Sequence, residues 1–301
     1  MAKWTKASDR GLIEVSGPEA ESFLQGLISN DVTKAVGSQA VYSAHLTPQG
    51  KFLHDFFVVR AGDSLLLDCE AARQSDLFQR LRRYKLRAKV ELRVRADLAV
   101  VLVWGEDAGE ILGMGSEAQQ ALAGEVIACR DPRLSALGYR LIAPMEQPIP
   151  ALDHGEASDL TDHEQLRHEL GVPEGSRDLA VDRALLLESG FEELNGVDWD
   201  KGCYVGQEVT ARTKYRGLVR RRLTPVTVTG GAPADDGRVT KSGLDAGELR
   251  SYHAGHGFAL LKLSILQSND PLQSGEAEVV PSIPDWWQLP DEKTDTASGA
   301  D

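Results

Sequence analysis

The sequence predicts an α+β fold in which helices pack on mostly antiparallel strands, with a small C-terminal β-barrel domain. Three observations predict it. A strand–turn–helix pattern occurs twice within residues 12–112. Hairpin-like strands with tight Gly-containing turns lie between the two copies. Beyond Arg216 the chain becomes a series of short β-rich runs punctuated by Gly and Pro.

The elements follow in order. Residues 12–15 (LIEV) read as a strand, and Ser16-Gly17-Pro18 opens a helix carrying Ala20, Phe23, Leu24 and Leu27 at helical spacing. The second copy is the apolar strand 98–104, the turn 105–108 and Ile111-Leu112. Residues 51–60 and 64–69 form a hairpin around Ala61-Gly62-Asp63. A helix over 71–83 places Leu77 and Leu81 on one face, and 89–94 and 138–143 are further strands. Residues 161–170 are helical, and 182–190 form a short helix or turn. The C-terminal strands are 223–228, 237–240, 247–250 and 257–263. Residues 113–118 formally fit a dinucleotide fingerprint, but the strand ends near Trp104, too far upstream for that role.

A chain of 301 residues with 42% hydrophobic and 26% charged content can build one large or two modest soluble domains. Net charge of −13 disfavours a general nucleic-acid binder. The local basic run 212–222 reads as a solvated strand edge. Three cysteines, at 69, 129 and 203, are odd in number and widely spaced, which argues for reduced thiols and against a permanent metal site. Cys69 and Cys129 read as small packing residues in strands. No apolar run is long enough to span a membrane, and the expected location is cytoplasmic.

The chemistry concentrates in Lys201-Gly202-Cys203-Tyr204-Val205-Gly206-Gln207-Glu208. A thiol between two glycines, close to an ammonium and a carboxylate, marks a working loop, since a neighbouring cation favours the thiolate. Residues 182–200 are acidic and 201–222 basic, so Cys203 sits at a change of sign. The plainer alternative is a solvated charged hairpin with a buried structural cysteine.

The octapeptide resembles the K-G-C-Y-x-G-Q-E signature of the YgfZ family, folate-binding proteins related to the glycine-cleavage T-protein. Further matches are the stretches 23–32 (FLQGLISNDV), 46–51 (LTPQGK), 83–90 (RYKLRAKV) and 208–216 (EVTARTKYR), in the family's order. The resemblance implies a GcvT-like folate-binding body in two lobes over residues 1–216. It also implies a barrel over 217–285. Beyond the barrel, the Pro-, Asp- and Trp-containing, then small and polar composition predicts a largely disordered tail over 286–301, above all 291–301. The resemblance implies tetrahydrofolate or a derivative as ligand, with no permanent metal. The implied role is maturation or repair of iron–sulfur clusters, with A-type carriers as partners and radical-SAM or other cluster enzymes as recipients.

Within that resemblance Cys203 is a reactive thiolate or transient cluster ligand, and Lys201 tunes it. Glu188 follows three leucines, and its expected role is to accept hydrogen bonds from the pterin N–H groups. Asp55, Tyr84 and Arg216 are further expected folate contacts. Tyr84 could stack on a ring, and Arg216, like Arg83 and Lys85, could meet a glutamate tail. The T-protein relatives carry two adjacent aspartates, whereas this chain has His54 and then Asp55. An aspartate pair can separate acid and base roles, and that option is lost. His54 reads as an exposed strand histidine, with a base near neutral pH as the alternative. Two other functions stay open: a folate-dependent one-carbon transferase or demethylase, and a non-catalytic folate-binding regulator.

Overall fold

A computed structural model describes residues 1–37, 39–114, 125–266 and 271–288. Two five-stranded sheets form the body. The first has the order β3-β4-β5-β2-β6 and the second β10-β1-β7-β9-β8. Their strands are β1 Lys3–Lys6, β2 Arg10–Ser16, β3 Val41–Leu46, β4 Phe52–Ala61, β5 Ser64–Glu70, β6 Glu91–Val94, β7 Leu98–Trp104, β8 Ile127–Arg130, β9 Tyr139–Pro144 and β10 Glu156–Ala157. All pairings in the body are antiparallel except β1 with β10. The helices are α1 Ala20–Gln25, α2 Gln74–Lys85, α3 Ala108–Ile111, α4 Leu160–Glu169, α5 Gly175–Asp178, α6 Gln207–Tyr215 and α7 Leu263–Leu266.

The predicted repeat is present. β2 leads into α1 and β7 into α3, and each turn passes through a glycine, Gly17 and Gly105, at φ of +103° and +100°. One face of the first sheet packs on α1 and α2 through Ile13, Leu24, Val58, Leu77 and Leu81. The other face meets the second sheet through Leu12, Val59, Leu66, Val100, Leu102 and Ile142. Strands buried on both faces explain the nearly continuous apolar runs at 56–59 and 100–104.

A layer of buried charge adjoins that interface. Arg10 donates to Asp68 at 2.7 Å and to Glu174 at 3.2 Å. Arg133 donates to Asp131 at 2.9 Å and to Glu174 at 2.6 Å, and Arg140 donates to Asp68 at 2.8 Å. The Arg140 guanidinium lies 3.7 Å from the Phe57 ring centroid. Buried charges persist only when paired in this way.

Strands β11 Arg221–Gly230, β12 Arg238–Lys241, β13 Leu244–His253, β14 His256–Lys262, β15 Leu272–Ser274 and β16 Ala277–Pro281 close a six-stranded barrel in the order β11-β14-β13-β12-β15-β16. Val226, Val239, Leu261 and Val279 fill it. The barrel packs on the body through Leu223 and Phe258, which join Tyr42, Phe52, Leu186 and Phe191.

Three expectations need correction. The basic run is not a strand edge throughout: Arg212 and Lys214 lie on α6, and Arg216 caps its C-terminus. Trp286 and Trp287, assigned to the tail, are packed. Trp286 donates its indole N–H to the Leu170 carbonyl at 2.8 Å, and Arg222 lies over the Trp287 ring at 4.8 Å. Residues 289–301 of the expected tail, like residues 115–118 of the dinucleotide-type stretch, lie outside the described residues. His54 is buried rather than exposed, because strand alternation turns it under α2, where Nε2 lies 2.9 Å from Asp76.

Candidate functional site

Three separate stretches of sequence converge beneath Cys203. The turn 46–51 joins β3 to β4, closed by the Gly50 N–H donating to the Thr47 carbonyl at 2.8 Å. Gly206, at φ +87°, sits against this turn so closely that a Cβ there would lie 2.5 Å from the Thr47 carbonyl oxygen. Only glycine allows both the left-handed backbone and the approach. The stretch 23–32 closes the other side. Val205 N–H donates to the Gly26 carbonyl at 3.1 Å, and Val205 packs on the cluster that holds Leu27, Leu77 and Leu81.

Lys201 fastens the start of the loop. Its ammonium donates to the backbone carbonyls of Gln25 at 2.7 Å and Ile28 at 2.6 Å. Burial lowers its pKa to about 8, although Asp31 and Asp198 pull the other way. The ammonium expected to tune the thiol is thus engaged by carbonyl oxygens. Gln25 completes the clip: its side chain donates to Asp31 at 3.0 Å and accepts from the Val32 N–H at 2.9 Å.

Cys203 stands exposed on this support, whereas Cys69 in β5 and Cys129 in β8 are buried. Burial pushes both inner thiols up to about 12, which keeps them protonated and inert. The Tyr204 ring is buried beside the loop, with the Lys201 ammonium 5.1 Å from its centroid. Much of the expected sign change at Cys203 resolves into ion pairs between the two runs, Glu192 with Lys214 and Glu193 with Arg222. Among the described residues no three His, Cys, Asp or Glu side chains gather as metal ligands.

Glu188 lies elsewhere, in a cavity of about 280 Å³ where the body meets the barrel. Leu185, Ser189 and Lys51 line it from the body, and Arg221, Arg250 and Leu260 from the barrel. The Glu188 carboxyl is half-buried, and burial raises its pKa while Lys51 and Arg221 oppose the rise. Lys51 entered the sequence reading only as part of a motif. Arg183 of the body and Glu248 and Arg250 of β13, which also line the cavity, were missed, because no local pattern marks them.

The structure does not bring the other expected folate contacts to this cavity. Asp55 is buried in β4, accepting from the Tyr42 hydroxyl at 3.0 Å and the Gly175 N–H at 3.2 Å, and desolvation raises its pKa. Tyr84 sits at the end of α2 with its ring edge against His45, 5.7 Å between centroids. Arg216 is exposed at the end of α6. His54 next to Asp55 cannot serve as a base near neutrality, because burial depresses its pKa to about 3.

The comparisons with known proteins agree with this architecture. Residues 4–129 match the GCVT N-terminal domain, and residues 220–289 match the CAF17 C-terminal beta-barrel domain. The glycine cleavage system aminomethyltransferase T of Bartonella henselae superposes with a TM-score of 0.75 over 94% of this chain and 86% of its own. At 16% identity that likeness establishes a GcvT-like fold alone. The iron-sulfur cluster assembly factor IBA57, mitochondrial, of Mus musculus is 33% identical over 94% of this chain and 86% of its own length. The Homo sapiens protein of that name is 34% identical over 95% and 86%. These relatives are named as mitochondrial, which overturns the cytoplasmic expectation. The shared length and identity, with both domain types in their order, make this chain a member of the IBA57 family of iron–sulfur cluster assembly factors.

Proposed function

We propose that this protein is a tetrahydrofolate-binding accessory factor that matures or repairs iron–sulfur clusters in target enzymes, and that Cys203 handles the cluster. The observation that carries this reading is the contrast among the cysteines: one exposed thiol on a tightly fastened loop, two sealed in strands. A lone thiol suits a transient ligand, because a stable cluster takes four protein ligands. One iron–thiolate bond to a carrier is exchanged for one to Cys203, and the proton Cys203 gives up goes to the released thiolate or to solvent. A-type carriers are the proposed donors and radical-SAM or other cluster enzymes the recipients. The octapeptide Lys201 to Glu208 supports a place in the YgfZ branch of the family.

On the proposed division into a body over 1–216 and a barrel over 217–285, the Glu188 cavity lies at their joint, a common place for a ligand. The residues present fit a folate head. A half-buried carboxylate suits a donor-rich pterin edge, and Lys51, Arg183, Arg221 and Arg250 suit an anionic tail leaving the cavity. At about 280 Å³ the cavity is small for a whole folate and encloses the head alone. One-carbon transfer through Asp55 has no comparable support, since that carboxyl is engaged by Tyr42 and Gly175.

Anaerobic calorimetry with tetrahydrofolate tests the ligand. Wild type and Cys203→Ala should bind alike, and Glu188→Ala should bind at least about tenfold more weakly, the loss of about 1.4 kcal/mol. Absence of binding to wild type removes the folate reading. In cells lacking the protein, Cys203→Ala should fail to restore cluster-enzyme activity, and full restoration would show that the thiol handles no cluster.

A further inference from the structure

The segment from the end of α2 through β6 is electrostatically unlike the rest of the chain. Between residues 82 and 93 lie Arg82, Arg83, Lys85, Arg87, Lys89 and Arg93 against a single carboxylate, Glu91, in a protein whose net charge is −13. None of the six forms an ion pair with the described residues. Their neighbours Arg80 and Arg95 do, with Asp76 at 2.9 Å and Asp97 at 2.7 Å. At the centre of the group is Leu86, 87% exposed and held at φ +42°, ψ −103°.

Two ordinary explanations cover only part of this. Cations in the last turn of a helix complement its dipole, which accounts for Arg82, Arg83 and Lys85. Basic residues on an edge strand deter pairing with another chain, which accounts for Arg93 on β6, the edge of its sheet. Neither places a bare leucine, in backbone geometry leucine rarely adopts, among unpaired cations. Tyr84 and Val94 of the same segment are also exposed, and apolar side chains set among one sign of charge are the composition of a recognition surface.

The segment also connects with the thiol loop. Tyr84 packs its ring edge against His45, and His45 Nδ1–H donates to the Leu27 carbonyl at 3.0 Å. The adjacent Gly26 and Ile28 carbonyls hold Val205 and Lys201. Leu81 of α2 and Leu92 of β6 share a hydrophobic cluster with Val205.

We propose that Arg82, Arg83, Arg87 and their neighbours, with Leu86 as anchor, form the docking surface for an acidic protein that presents its metal–thiolate site to Cys203. The inference rests on the proposed cluster-handling role. Charge of opposite sign speeds encounter and orients the partner, and the leucine fills a hollow on it once docked.

An acidic A-type carrier in its apo form is the probe. Its binding to the full chain is measured by calorimetry at low and physiological salt for wild type, Arg82→Glu/Arg83→Glu/Arg87→Glu, Leu86→Ser and Cys203→Ala. The positions are exposed, so each variant should fold; the Arg82 and Arg83 reversals give up helix-dipole complementarity and lower thermal melting only modestly. The charge reversal should weaken binding at least about tenfold and Leu86→Ser about fivefold, while Cys203→Ala stays within about twofold. Wild-type affinity should fall as salt rises. Equal affinity of the reversal and wild type overturns the surface, and so does failure of wild type to bind the carrier. Retention of a single-stranded oligonucleotide or phosphatidylserine vesicles through the same arginines, in place of the carrier, overturns it in favour of a polyanion site. Rescue in cells separates the two readings. If Cys203→Ala fails and the charge reversal rescues fully, the surface alone falls. If Cys203→Ala rescues, the cluster-handling role falls.

Discussion

Lys201 and Gly206 act on the thiol loop by different physics. At Gly206 an added Cβ meets the Thr47 carbonyl at 2.5 Å and the Leu46 side chain at 2.9 Å, in addition to the cost of a left-handed backbone. At Gly202, φ +92°, nothing lies within 4 Å. Gly202→Ala should therefore lose only about 1–2 kcal/mol, and Gly206→Ala clearly more, read from urea unfolding of the two variants side by side. Lys201 makes a pH prediction. Its pKa falls from 10.5 to about 8 on folding, so between those values the unfolded chain binds more protons. Stability contributed at this position then rises as pH climbs from about 8 towards 10.5. The wild-type urea midpoint should gain on that of Lys201→Met across this window, and a constant difference would contradict the assignment. The octapeptide was legible as a candidate site from its residue types. The partners of Lys201 were not, because the carbonyls it binds lie 176 and 173 residues away in sequence.

Among the elements, those with strong patterns were readable: β7, the β4–β5 hairpin, and α2 with Leu77 and Leu81 inward. The missed ones hide polar groups that tertiary partners satisfy. β3 is wholly buried yet carries Ser43 and His45, whose partners are Ser29, Asn30 and the Leu27 carbonyl. α6 lacks an apolar stripe because it buries Thr210 and Thr213, whose hydroxyls donate to carbonyls four residues back. The charged layer beside the two sheets was invisible for the same reason. Glu174 joins Arg10 and Arg133 there, and the surrounding guanidinium groups hold its carboxyl well below the usual range despite burial. Glu174→Gln leaves buried positive charge uncompensated and should cost about 3–5 kcal/mol. Glu208→Gln, at an exposed carboxylate, should cost under about 0.5 kcal/mol. Thermal melts of the pair test this contrast.

Over the whole molecule, burial makes the protein acid-sensitive well above the carboxylate range. His54 is depressed to about 3 and His163 and His168 to about 4, in each case chiefly by desolvation, and His45 is lowered for the same reason. These histidines bind protons in the unfolded chain near 6.5 but remain neutral when folded, so stability falls as pH drops from about 6.5 towards 4. Each such histidine contributes a slope of up to about 1.4 kcal/mol per pH unit, and His163→Phe should flatten the fall in urea midpoints between pH 7 and 5. The barrel was legible from its Gly- and Pro-punctuated runs, whereas the cavity it shares with the body depends on tertiary placement that no local pattern encodes. The seating of Gly206 against the β3–β4 turn has one more consequence. A thiol mounted on core backbone has almost no reach of its own. On the proposed cluster-handling role, search, alignment and the give needed to trade one sulfur ligand for another would fall to the visiting molecule, which would bring its metal on a pliable arm.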